Sequence, residues 1–449
     1  MSKQRIQLSD HFTYPRLLRF VLPCIGTMLF TSIYGIVDGL CVSNFVGKTA
    51  FAAVNLIMPL PMLLGTIGFM LGTGGSAIVG ITLGEGDQKK ADRYFTLFLL
   101  AALISVSVLA VLGIVFLRPI AALLGAKGEL LDYAVRYGRI LMVSLPTFAL
   151  QNMFQSFFVT AEKPHLGFWF TVGAGCTNMV LDVLMVGIWG WGVEGAAIAT
   201  FISQLVGGVL PVFYFIDRSN SSRLHLCKTS FYSKVLRDAC INGSSELMTN
   251  LSMSLVNILY NYQLLRLAGE NGVAAYGVIM YAAFLFVAVF VGYAVGSAPI
   301  VSFHYGARNH AEVHNLYRKS LRLIAVVAVT LTLASMFIIP CVARIFVGYD
   351  AELLALTSRA FRLYALSFLI MGFNVYASSF FTALGDGVTS ALISFLRTLA
   401  FQVIAILLLP LLLGIDGIWL AVTAAELAAL AVSAAMLLTK DKVFHYRKV

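Results

Sequence analysis

"NMVLDVLMVGIWGWGVEGAAIAT", residues 178–200, reads as the end of one apolar helix, a glycine- and tryptophan-rich turn, and the start of a second apolar helix. Two polar side chains interrupt the first helix. Asn178 and Asp182 are four residues apart, so they share one face. Thr200 lies a turn or more into the second helix. An ionisable group inside such a helix costs about 2.5–3.5 kcal/mol on insertion scales, which makes it a functional candidate by default.

The same alternation of apolar helix and short turn fills the chain. Of its 449 residues, 59% are hydrophobic and 12% charged, whereas soluble domains carry about 25% charged residues. Segments of roughly 20 or more apolar residues, long enough to cross about 30 Å of hydrocarbon, recur twelve times. They fall near 17–42, 51–80, 94–117, 132–159, 166–188, 195–216, 238–263, 274–303, 320–343, 354–382, 390–413 and 416–438. We call them spans 1 to 12. The fold class is all-α, a polytopic membrane protein of 12 transmembrane helices with no room for a soluble domain. The polar, basic first 16 residues lack a cleavage motif, so no removable signal peptide is expected.

The chain carries 31 Lys and Arg against 21 Asp and Glu. With both termini cytoplasmic, most of the basic residues fall on the cytoplasmic side, including Arg218, Arg223, Lys228, Lys234 and Arg237 between spans 6 and 7. That bias follows the positive-inside rule, so the charge reflects topology and no nucleic-acid partner is expected. The cysteines (Cys24, Cys41, Cys176, Cys227, Cys240, Cys341) form no close pair and are expected as free thiols.

The two halves of the chain resemble each other. Residues 129–158 laid on 352–381 match at Glu129/Glu352, Arg136/Arg359, Arg139/Arg362, Ser144/Ser367 and the "SFF" beginning at Ser156/Ser379. At nearly the same shift, "GGSAIVGITLG" (74–84) meets "GSAPIVSFHYG" (296–306), and "GVEGAAIA" (192–199) meets "GIDGIWLA" (414–421). Six helices per repeat is an even number, so both repeats insert with the same orientation. Such parallel repeats are typical of transporters that rock two lobes about a central site. The expected lobes are 1–216 and 234–449, joined by a cytoplasmic linker at 217–233.

Asp38 of span 1 lies at a depth similar to Asn178, Asp182 and Thr200, all roughly 8–18 Å below the outer surface at 1.5 Å per residue. No Lys or Arg lies deep in spans 1, 5 or 6 to neutralise the two carboxylates. These oxygens suit a hard cation such as Na⁺. Alternatively, burial and mutual repulsion make one carboxyl an H⁺ site. Two unrelated packing carboxylates bonded to hydroxyls are the plain alternative. A shift of 222 carries Asn178 and Asp182 to Ala400 and Ile404, so the second repeat does not copy the site.

The second lobe has Glu246 in span 7 and Arg397 in span 11 at similar depth with opposite sign. A buried Glu246–Arg397 pair is the structural expectation and contact with a charged substrate the sharper one, and Glu426 of span 12 is placed to join the network. Gln151 and Asn374, equivalent in the repeat, either line a central cavity or bond neighbouring helices. His310 and His314 share a face in a loop, without a third ligand in view. "GTGGS" (72–76) lacks the lysine of a phosphate loop and reads as close helix packing. Pro23 loosens span 1. No Ser-His-Asp set falls at one depth, so an enzyme is not expected.

The chain resembles the multidrug and toxic compound extrusion (MATE) family over nearly its whole length, and is most similar to the prokaryotic DinF-like branch. The resemblance rests on "LP" at Leu22–Pro23, "VD" at Val37–Asp38, "GEGDQKKADRYF" (84–95) and the N-x-x-x-D and G-W-G-V-x-G-A-A-x-A-T elements of 178–200. It implies two pseudo-symmetric six-helix lobes in a V, and export of small-molecule drugs and organic cations driven by Na⁺ or H⁺ entry, with no cofactor. It places the cation site on Asp38, Asn178, Asp182 and Thr200, with Na⁺ as the possible metal. Tyr34 and Tyr137 match aromatic positions lining the first-lobe cavity, which with Gln151, Asn374, Glu246 and Arg397 makes up the expected substrate surface. The expected setting is a plasma-membrane monomer in contact with lipid. A flippase for lipid-linked saccharides is the alternative. It would want several deep basic residues for phosphate, and only Arg397 is deep.

Overall fold

The computed structural model describes residues 6–46, 48–348 and 350–447, without the side chains of 38–45, 48, 50–51, 340, 342 and 345–346. The described residues form helices and no strand. The first half comprises α1 (Tyr14–Phe45), α2 (Lys48–Ile57), α3 (Pro59–Gly84), α4 (Gln88–Leu123), α5 (Glu129–Thr160), α6 (Pro164–Asp182), α7 (Gly192–Gln204) and α8 (Leu210–Ile216). Residues 217–232 carry no helix. The second half comprises α9 (Ser233–Gly306), α10 (His310–Val347), α11 (Ala351–Ala365), α12 (Phe368–Ala383), α13 (Gly387–Phe395), α14 (Phe401–Leu413), α15 (Ile415–Thr439) and α16 (Asp441–Phe444). Three wide π turns, Val183–Ile188, Leu205–Val209 and Leu396–Ala400, follow α6, α7 and α13.

A chain in hydrocarbon must satisfy its backbone internally, which leaves helices as the solution for apolar runs of this length. Among the described residues, nine helical stretches are long and apolar enough to cross a membrane, and α11 with α12, bent by 46°, makes a tenth. The 74 residues of α9 would extend about 110 Å at 1.5 Å each, so α9 must cross twice. Its break is Gly269, at φ 61° and ψ −150°, a conformation open essentially to glycine alone. The expected loop between spans 7 and 8 is therefore a kink. The more polar α5 completes twelve, turning Ser144, Gln151, Asn152 and Ser156 inward. By contrast α4 exposes Ile104, Val108, Val111 and Val115 and buries Ala102, Val106, Ala110 and Leu117. An apolar stripe facing outward at helical spacing is the signature of a lipid-facing helix.

The repeat seen in the sequence is reproduced in three dimensions. Arg136 pairs with Glu194 at 3.7 Å, and their counterparts Arg359 and Asp416 pair in the second half. Asp87 caps α4 by accepting from the Lys90 amide, and its counterpart Asn309 caps α10 by accepting from the Glu312 amide. Left-handed backbone recurs at Gly86 and Arg308, at Glu162 and Gly385, and at Gly192 and Gly414.

Both termini lie at one end of the bundle. Residues Leu8 and Phe12 are buried there, and the Tyr446 carbonyl accepts from His314 Nδ1 at 2.9 Å. At this terminal end the halves meet backbone to backbone. A Cβ on Gly74 would run into the Ala239 carbonyl, one on Gly243 into the Met70 carbonyl, and one on Gly306 into the Ile81 carbonyl. Further in, a Cβ on Gly292 would stand 2.5 Å from Ile25 Cα. Toward the opposite end, the described glycines meet only neighbours of their own half. Small residues allow such close helix packing where no hydrophobic force separates lipid from protein. Cys24, Cys176, Cys227, Cys240 and Cys341 are free, and the side chain of Cys41 lies outside the described residues.

Gly243→Ala is expected to lower the melting temperature of the detergent-purified protein by several degrees, since overpacking costs about 1–3 kcal/mol. Gly277→Ala, on the same helix with open space around it, should melt at or above the parent temperature. Equal melting of the two variants would show that the halves do not depend on this seam.

Candidate functional site

α1, α6 and α7 pack on one another, which brings most of the first-half candidates onto three neighbouring helices. Asn178 and Asp182 are buried on one face of α6, 2% and 0% exposed. Asp182 ends the regular helix, and the π turn Val183–Ile188 begins at the next residue. The Asn178 amide nitrogen has no hydrogen-bond partner. Amide oxygen and nitrogen are interchangeable by rotation, so Asn178 offers an uncommitted polar group of either kind beside Asp182. A buried polar group without a partner costs about 1–3 kcal/mol, and a bound cation or water would recover that loss.

Thr200 sits on α7, half-buried, and its hydroxyl donates to the Ala196 carbonyl at 3.0 Å within its own helix. That bond leaves a lone pair for a second partner. Tyr34, half-buried on α1, faces α6, where a Cβ on Gly175 would stand 3.2 Å from its ring. Asp38 lies on α1 one turn beyond Tyr34, but its side chain is outside the described residues. Tyr137 is 1% exposed in an apolar cluster with Ile57, Val186 and Ala196, its hydroxyl 3.9 Å from the Met58 sulfur. In this conformation it is part of the core. Gln151 is buried against the π turn Leu205–Val209, where a Cβ on Gly207 would fall 2.8 Å from its carboxamide carbon.

The second-half cluster differs from expectation. The acidic partner of Arg397 is Glu426, at 3.8 Å, rather than Glu246. Glu426 is 1% exposed, and its other oxygen accepts from Asn374 Nδ2 at 2.7 Å. The same nitrogen donates to the Glu426 carbonyl at 2.9 Å. Asn374 thus bonds a neighbouring helix, the plainer of its two expected roles. Arg397 lies within the π turn Leu396–Ala400, and Glu246 on α9 is half-buried and within its electrostatic reach. Helical depth matches Arg397 with both acids, and the π turn that carries it packs on both α9 and α15. Only the side-chain geometry selects Glu426.

Each π turn therefore borders a polar side chain that interrupts an apolar helix: Asp182, Gln151 and Arg397. Such turns widen the helix, free backbone groups, and occur often at functional sites. Among α1, α5, α6 and α9 a small cavity of ≈ 10 Å³, bordered by Cys24, Thr27, Gln155 and Val295, has space for about one water.

Twelve apolar crossings in two repeated halves, with buried polar clusters that differ between the halves, define a polytopic membrane transporter. The MatE family matches the chain twice, at residues 23–184 and again at 247–408. The offset of 247 − 23 = 224 residues agrees with the repeat read from the sequence. The chain belongs to the MatE family, whose members are transporters and not enzymes. It is similar to the multidrug export protein MepA of Staphylococcus saprophyticus, 21% identical over 95% of this chain and 94% of that protein. Its fold matches a MATE crystallised in complex with MaL6, with a TM-score of 0.92 at 22% identity, covering 99% of this chain and 100% of that one. It matches equally a multidrug resistance MATE family transporter of the MOP superfamily in its outward-facing conformation, TM-score 0.92 at 22% identity, covering 99% of both.

Arg397→Met should destabilise the folded protein by on the order of 3–5 kcal/mol, because it strands buried Glu426. Arg397→Met combined with Glu426→Gln should recover most of that loss. Thermal unfolding of the purified single and double variants checks both expectations, and a single variant as stable as the parent would remove the ion pair from the account.

Proposed function

We propose that the protein is a cation-coupled multidrug antiporter of the DinF-like branch, in the plasma membrane with both termini cytoplasmic. The lobes are 1–216 and 234–449, and 217–233 is the linker between them. The terminal end, closed in this structure, is then the cytoplasmic side. Organic cations and amphipathic drugs enter an apolar cavity between the lobes when that side opens. They leave when the lobes rock outward. Na⁺ or H⁺ arriving from outside occupies the site of Asp38, Asn178, Asp182 and Thr200, and the loaded carrier returns inward. Coupling requires only that ion and drug favour different states.

The observation that carries this reading is the buried Asn178–Asp182 face at the π turn. It combines a carboxyl, an uncommitted amide and a widened backbone. Na⁺ would take these oxygens as ligands, and H⁺ would neutralise the carboxyl. Either event removes the cost of an ionised group in a dry site and changes how α6 packs. The similarity to multidrug export proteins supports the substrate class. Transport of lipid-linked saccharides is less well supported, since Arg397 is already engaged by Glu426 and the remaining deep groups are acidic or neutral.

Ethidium efflux from proteoliposomes, under a Na⁺ gradient alone and then a pH gradient alone, tests the proposal. One gradient should drive efflux, and Asp38→Asn and Asp182→Asn should each reduce it at least tenfold with normal protein yield. Efflux under neither gradient, or unimpaired efflux by both variants, would sink the antiport mechanism.

A further inference from the structure

The segment before α1 crosses the seam between the halves at their closed end. The Leu8 amide donates to Glu162 Oε1 at 2.9 Å, and Glu162 lies in the turn between α5 and α6 of the first half. Four residues later the Phe12 amide donates to Glu312 Oε1 at 2.8 Å, and His11 Nδ1 lies 2.6 Å from Glu312 Oε2. Glu312 belongs to the first turn of α10 in the second half. The Phe12 carbonyl accepts from Lys319 Nζ at 2.7 Å, also on α10. Leu8 and Phe12 are themselves fully buried. The segment is therefore fastened to both halves through two carboxylates that are almost wholly removed from solvent.

Glu162 shows that its anchor has a backbone cost. It sits at φ 61°, where its counterpart in the second repeat is Gly385 at φ 82°. A non-glycine residue in that region is strained and persists where its surroundings hold it. The Glu162 side chain is held on two sides, by the Leu8 amide and by the guanidinium of Arg223. Arg223 comes from residues 217–232 and lies 4.8 Å from the Phe303 ring of α9. Two segments that join or precede the halves thus converge on one carboxylate at the seam.

We propose that residues 6–13 are a latch that holds the terminal end closed, with Glu162 and Glu312 as its two keepers. The four residue steps from Leu8 to Phe12 span at most about 14 Å when fully extended. Opening this end carries the two keepers apart, so one of them must let go, and Leu8 and Phe12 leave their sockets. The latch rests on the alternating-access reading given above, since a carrier that never opens at this end has no use for it.

Cys24 supplies a native reporter. It is 4% exposed and sits in the seam, where a Cβ on Gly296 would stand 3.2 Å from its sulfur. In the full-length protein in liposomes, the rate of Cys24 alkylation by a membrane-permeant maleimide is followed by mass spectrometry. Glu162→Gly and Glu312→Gln should each raise that rate several-fold. The glycine variant relieves the strained backbone, so poor folding will not obscure its result, and melting temperature is followed in parallel. Because release of either keeper frees the same segment, the double variant should label no faster than the faster single variant. Unchanged labelling in both single variants overturns the latch, and effects that multiply in the double variant reduce the two carboxylates to independent packing contacts. The readout needs neither drug nor ion gradient. Failure of gradient-driven efflux with intact labelling effects would therefore strike the antiport reading and leave the latch standing.

Discussion

The two halves of this protein meet through backbone, and most of its architecture follows from that contact. At Gly74, Gly243 and Gly306 even a methyl group would strike a carbonyl of the opposite half. Close approach of this kind gains dispersion energy and excludes lipid without requiring any hydrophobic driving force between helices. It is confined to the end of the bundle that carries the termini. The helices that form it, α3 and the two limbs of α9, are therefore fixed relative to each other at one end only.

The polar groups of the two halves divide along the same line. In the first half, Asp182 ends a regular helix one turn after Asn178, whose amide nitrogen is uncommitted. In the second, Glu426 is held by Asn374 and faced by Arg397. A buried carboxyl with a base and an amide donor already has its charge answered. Similar scaffolds thus carry different polar clusters in the two halves. The π turns adjoin both, because a widened helix is where backbone groups and bulky polar side chains fit into an apolar bundle.

Much of this was legible in the sequence, for reasons that can be stated for particular residues. Twelve runs of apolar residues determine twelve crossings, because hydrocarbon admits no other use for them. Arg136 with Glu194 and Arg359 with Asp416 recur at shifts of 223 and 222, and the matching ion pairs follow from that repeat. The i, i+4 spacing of Asn178 and Asp182 placed both on one face regardless of what surrounds that face. The loop expected near Gly269 was misjudged because a single glycine in a rare conformation turns the chain by itself.

What the sequence by itself determined was the number of crossings, the repeat, the shared face of Asn178 and Asp182, and the family. These depend on composition and periodicity along the chain. The tertiary structure alone decided which acid answers Arg397, where Tyr137 and Gln151 point, and that the N-terminal segment crosses the seam. Nothing local in the sequence marks Glu162 or Glu312 as anchors. They become buried anchors only because residues 150 to 300 positions away fold against them. Pairings between distant elements depend on which surfaces packing brings together, and no local pattern encodes that choice.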